Sequence, residues 1–173
     1  GTFTQPYLVL CDSKALDTLA PEVFAEGMAE VIKYGMIRSR ELLELLLRDE
    51  AAEELEHIIA QCVRLKRDVV AEDEQDFGER QILNFGHTLG HAIEREMNYK
   101  LFHGDCVAIG MALMTRALVR DGRCPESCEK ILEKLLKKYR LPNNTELPSE
   151  RILAAARADK KRRGENITLI EPN

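Results

Sequence analysis

The chain has no tryptophan, and aromatic residues are limited to five Phe and four Tyr among 173 residues. That scarcity argues against a ring platform for stacking single-stranded nucleic acid. Positive charge is not in excess: 25 Lys and Arg stand against 30 Asp and Glu, a formal net charge of −5. No global basic field is present to hold a polyanion, so no nucleic-acid partner is expected. An anionic substrate has to be met by local Lys or Arg. No apolar run reaches membrane-spanning length, so no membrane partner is expected. The opening GTFTQPYLVL lacks the basic region and long apolar core of a signal peptide. Five cysteines, an odd number, are scattered at 11, 62, 106, 124 and 128 and form no disulfide framework. A reduced, cytoplasmic setting fits them. Cys124 and Cys128 lie four apart around Pro125, but no second Cys or His cluster follows nearby to complete a metal site. Internal repeats and low-complexity linkers are also missing.

What is present is ordinary globular material, 45% hydrophobic and 32% charged, and enough chain for one domain with a real core. The patterning is mostly helical. Pro21 opens a helical stretch to about Ile37, and Ser39 can cap the next helix, which carries ELLELLL. Residues 50–71 are amphipathic at helical spacing. EDEQDFGE (72–79) reads as an acidic connection. Helical patterns resume at about 79–97, 104–121, 126–139 and 149–158. YLVLCD (7–12) reads as a short strand, and ITLIEP (167–172) as a second. The expected fold is mainly α: a helical bundle with short orphan strands near its two ends. A lone strand needs neighbours, which suggests a piece of something larger.

The chemistry concentrates in NFGHTLGHAIE (84–94). Only four histidines exist, and His87 and His91 lie four apart. Arg80, Asn84, His87 and His91, spaced by four, three and four, share one face of a helix over 79–97. A solvated face is the competing reading. Against it stand Gly86 and Gly90, each costing about 1 kcal/mol inside a helix relative to Ala and suggesting close approach of a backbone or ligand. His103 opens a further helix in FHGD (102–105), where it is a cap, a surface residue or a third ligand. His57 lies in an exposed-looking stretch and reads as structural or solvated. In GMAEVIKYG (27–35), Glu30 and Lys33 are three apart on a strongly apolar helix. Such a pair is often an ordinary ion pair, but a carboxylate in those surroundings needs a cation or a metal. One carboxylate and two imidazoles with an open position suit a catalytic zinc site. Spacing alone leaves open which two histidines bind, and favours His87 with His91.

Taken in order, TFTQP, GMAEVIKYG, Lys66 followed by VVAEDE, GERQILNFGHTLGHAIE, HGDCVAIGM and DKKRRG resemble the 3-dehydroquinate synthase family of the sugar phosphate cyclases. The resemblance runs through essentially the whole chain. It implies metal ligands at Glu30, His87 and His103. It implies that His91 is no direct ligand but supports proton transfer and phosphate loss beside the metal. Lys33, Lys66, Arg80 and Asn84 match positions lining the substrate pocket, and the DKK run offers Lys160 or Lys161. Thr18 and Leu19 match a stretch that touches the nicotinamide cofactor. Zinc, cobalt or another divalent ion fits the ligand set.

The implied reaction converts 3-deoxy-D-arabino-heptulosonate 7-phosphate to 3-dehydroquinate and phosphate, a step of the shikimate pathway. Bound NAD oxidises an alcohol, phosphate leaves by β-elimination, the hydride returns, and ring opening is followed by aldol closure. The net reaction is that of a lyase. The substrate carries carboxylate and phosphate, which explains local Lys and Arg in an acidic chain. GHTLGH is intact, which favours this synthase over valiolone-type cyclases; a deoxy-inosose-type cyclase and a stand-alone metal-binding module are the alternatives. Asp105 and Cys106 stand where the family usually has Glu and Ala. No strand–GxGxxG–helix unit is found. The expectation is therefore one helical metal- and substrate-binding domain over residues 1–173. The parent's N-terminal NAD-binding α/β domain is absent from it, the isolated chain is inactive, and the parent is a homodimer.

Overall fold

Pro21 occupies the first turn of α1 (Pro21–Arg38), where its missing N–H would have had no helical partner. The structure, a computed structural model, describes residues 6–73, 78–163, 170 and 172, without the side chains at 50, 52, 79 and 159–163. Ser39 ends α1 and starts α2 (Arg40–Leu47), its Oγ accepting from the Leu42 N–H at 3.1 Å, as the sequence suggests. The amphipathic stretch divides into a 3-10 segment, Asp49–Glu54, and α3 (Leu55–Glu72). A second 3-10 segment, Glu79–Asn84, precedes α4 (His87–Glu96). Then come α5 (His103–Arg120), α6 (Glu126–Lys138) and α7 (Ser149–Arg163).

α5 is the central element. Its residues from Gly104 to Ala112 are buried apart from Asp105, so it is apolar almost all round, as a surrounded helix must be. α1 and α4 pack on it, and α7 packs on α4. The main core joins Ile32, Ile37, Leu46, Phe85, Met111 and Leu136. A second cluster joins Ile93, Cys106, Ile109 and Ile152 across α4, α5 and α7. Each such side chain contributes about 1.5–3 kcal/mol on burial.

Two expectations need correction. The described residues contain no strand. Residues 7–12 have no ladder partner among them, and Tyr7, Leu8, Val9 and Leu10 are exposed; unpaired backbone does not make a sheet. Most of ITLIEP lies outside the described residues, although Ile170 packs on the main core. The helix expected over 79–97 is also broken. Phe85 has ψ 126° and Gly86 has φ +77°, a left-handed turn that no α-helix contains. The break sends the Phe85 ring into the core, fully buried. Arg80 and Asn84 therefore do not continue the helical face of His87 and His91.

Candidate metal and substrate site

Glycine sets the geometry. A Cβ on Gly110 would collide with the Gly86 carbonyl oxygen and lie 2.8 Å from the Gly90 nitrogen. A Cβ on Gly90 would meet the Cys106 carbonyl at 3.0 Å. The expected close approach to Gly86 and Gly90 is thus made by the α5 backbone. At the other end of α5, a Cβ on Gly104 would run into the Glu26 backbone, with its Cα at 2.7 Å. These contacts seat α5 against both α4 and α1. His103 at the start of α5 is thereby carried to Glu30 on α1 and to the histidines of α4.

The donor atoms of His87, His91 and His103 all lie within 4.8 Å of one another. Glu30 joins them: its Oε1 is 3.3 Å from His87 Nε2 and 3.7 Å from His103 Nε2. Its other oxygen, Oε2, accepts from Lys33 Nζ at 2.6 Å, and Lys33 is only 4% exposed. Oε1 is itself buried yet accepts no hydrogen bond of good geometry. Burial would raise the Glu30 pKa; the His87 imidazole and the Lys33 ammonium outweigh it and hold the carboxyl down at about 2. The carboxylate is thus held ionised, with Oε2 on Lys33 and the buried Oε1 facing the imidazoles of His87 and His103. Ligands about 2.1 Å from a tetrahedral metal are roughly 3.4 Å apart, and the two contacts of Glu30 Oε1, 3.3 Å to His87 and 3.7 Å to His103, are near that length, while the histidine donors by themselves form a looser group that includes His91. His87 Nδ1 faces the Phe85 carbonyl at 3.1 Å, which leaves Nε2 for the site. His91 stands beside both rings, its centroid 5.4 Å from that of His87 and 5.7 Å from that of His103.

A family described as 3-dehydroquinate synthase C-terminal matches residues 27–162. The chain belongs to this family. A 3-dehydroquinate synthase of Clostridium acetobutylicum is 45% identical over 98% of this chain and 49% of its own length. One from Dehalococcoides mccartyi is 43% identical over 93% of this chain and 47% of its own. The chain therefore spans about half the length of the curated relatives it matches. Among solved structures, 2-epi-5-epi-valiolone synthase from Streptomyces hygroscopicus, with NAD+ and Zn2+ bound, superposes with TM-score 0.78 at 22% identity. That match covers 88% of this chain and 45% of the other. A 2-deoxy-scyllo-inosose synthase complexed with carbaglucose-6-phosphate, NAD+ and Co2+ gives 0.73 at 24% identity, over 92% and 49%. At these identities the likeness establishes the shared fold.

The other expected residues of this 3-dehydroquinate synthase family member are placed as follows. Lys66 is exposed on α3, one turn beyond Cys62. Arg80, half-buried, and Asn84, exposed, lie on the 3-10 segment before α4. That segment packs on α1 and α3, so all three sit on elements that touch the helix carrying Glu30. The Arg80 N–H donates to Asp73 Oδ2 at 3.2 Å, as does that of Gly78 at 2.7 Å. Thr18 closes the 3-10 segment Ser13–Thr18, and Leu19 lines a cleft of about 480 Å³ with Phe102 and Asp105, the neighbours of His103. The side chains of Lys160 and Lys161 lie outside the described residues; their backbone belongs to the last turns of α7.

Glu94 has no role in the sequence reading. Its Oε1 is 3.6 Å from His103 Nδ1. The readable signal is its place on α4, seven residues after His87 and three after His91, on one helix face.

Proposed function

We propose that this chain is the metal- and substrate-binding half of a 3-dehydroquinate synthase, acting on 3-deoxy-D-arabino-heptulosonate 7-phosphate. The observation that carries this reading is Glu30 Oε1, buried, ionised and without a hydrogen bond, between His87 Nε2 and His103 Nε2. Glu30, His87 and His103 would hold a divalent ion, zinc or cobalt. Bound metal supplies Lewis acidity toward substrate oxygens, and NAD, held largely by another domain, a reversible hydride acceptor.

This chain's own residues do the rest. Lys33 holds Glu30 Oε2 and so turns Oε1 toward the histidines. The Phe85 carbonyl fixes His87 with Nε2 inward. His91, beside both ligating rings, is the proton carrier next to substrate. Lys66, Arg80, Asn84 and Lys160 or Lys161 meet the substrate's carboxylate and phosphate, and Thr18 and Leu19 meet the nicotinamide. By itself the chain would turn nothing over; the active protein would be a cytoplasmic homodimer with a separate NAD-binding domain over the site.

The test is reconstitution. Mixed with the NAD-binding half of a relative, the chain should release phosphate from 3-deoxy-D-arabino-heptulosonate 7-phosphate and form 3-dehydroquinate. Turnover by the chain alone would overturn the division of labour. Phosphate release without 3-dehydroquinate would point to another sugar phosphate cyclase.

A further inference from the structure

Resting on the metal-site reading above, we propose that Glu94 is a positioning residue for His103. The His103 ring stands between two carboxylates. Its Nε2 faces Glu30 Oε1 at 3.7 Å, and its Nδ1 faces Glu94 Oε1 at 3.6 Å. A metal-bound imidazole performs best when its second nitrogen carries a proton held by an acceptor, because that fixes the tautomer and the ring plane and makes the ligating nitrogen more basic. His87 has a backbone acceptor for this, the Phe85 carbonyl. His103, the first residue of α5, has the Glu94 carboxylate at 3.6 Å from Nδ1, an ion-pair separation just beyond hydrogen-bond length.

The placement of Glu94 follows from the glycine contact between α4 and α5. With Gly86 and Gly90 against Gly110 and Cys106, the two helices run antiparallel, and the far end of α4 comes level with the start of α5. The Glu94 side chain is 19% exposed, sheltered enough for its charge to act on a neighbour.

The experiment measures the Co2+ dissociation constant and visible spectrum of the metal-stripped chain, beside Glu94→Gln, Glu94→Ala and His103→Ala. Melting of each metal-free variant is the folding control. Mutating such outer partners weakens metal binding 10–100-fold. Glu94→Gln should weaken it about tenfold and Glu94→Ala toward a hundredfold. Both should shift the Co2+ absorption while leaving metal-free melting unchanged, which a merely structural role would not do. Wild-type affinity and spectrum in Glu94→Gln would overturn the proposal, and would decide it even if Glu94→Ala failed to fold. If Glu94 variants bind normally while His103→Ala does not, the metal site stands and only the role of Glu94 falls. If the unaltered chain takes up no Co2+, the metal-site reading falls, and this inference with it.

Discussion

Gly86 and Gly110 touch backbone to backbone: there is no room on Gly110 for even a methyl group beside the Gly86 carbonyl. This contact, together with Gly90 against Cys106, brings two helices close enough for His87, His91 and His103 to converge.

Gly110→Ala should therefore destabilise the chain by about 3 kcal/mol, at the upper end for overpacking, because the atoms it meets are backbone and cannot rotate away. Gly27 is the contrast. It lies inside α1 with nothing within 4 Å of a built Cβ. Gly27→Ala should stabilise by about 0.5–1 kcal/mol by removing unfolded-chain entropy. Urea unfolding of both variants checks the pair, and equal effects would contradict the packing.

The metal should behave as a folding ligand. At free zinc a hundredfold above its dissociation constant, stability should rise by about 2.7 kcal/mol. For a chain of this size that corresponds to roughly 5–10 °C in melting temperature. A chelator should reverse the shift. Elemental analysis should find the ion lost in His87→Ala and His103→Ala and kept in His91→Ala. Loss in His91→Ala as well would make His91 a ligand.

Thiol labelling should separate the cysteines. Cys11 is exposed, whereas Cys106 and Cys124 are buried, and burial is the leading cause that pushes both thiols up to about 12. Thiolate is the reactive form. Iodoacetamide on the native chain should modify Cys11 and spare Cys106 and Cys124, with all of them labelled in denaturant. Mass spectrometry of the peptides reads the result.

Ser39 lies between α1 and α2, and its Oγ caps α2 by accepting from the Leu42 N–H. Ser39→Ala should lower stability by about 1 kcal/mol, the usual loss for an N-cap. Ser39→Asp should restore it. A melting curve for each variant is sufficient.

Much of this was legible in the sequence. Helix starts at Pro21 and Ser39 follow from local chemistry, because a first-turn proline and a capping hydroxyl act within a few residues. The candidate metal-site residues were legible as types: one carboxylate in an apolar helix and histidines in a chain that has few. Spacing offered His87 with His91, since only neighbours on one helix can be related by counting. The approach of Glu30 and His103 to His87 depends on three helices meeting, and no periodicity encodes that. The Phe85–Gly86 break was hidden by a coincidence: Arg80, Asn84, His87 and His91 keep helical spacing across a turn that is not helical. Gly86 was its one visible sign, because a left-handed residue needs glycine.

By itself, then, the sequence determined most of the helical segments (though not the break at Phe85–Gly86), which side chains can ligate, and which family the motifs resemble. Only the tertiary structure decided which donors face one another. It placed Oε1 of Glu30 between two Nε2 atoms and put Glu94 behind His103. The physical reason is that ligation depends on ångström separations between distant segments. Here those separations are set by how closely glycine backbones allow α1, α4 and α5 to pack.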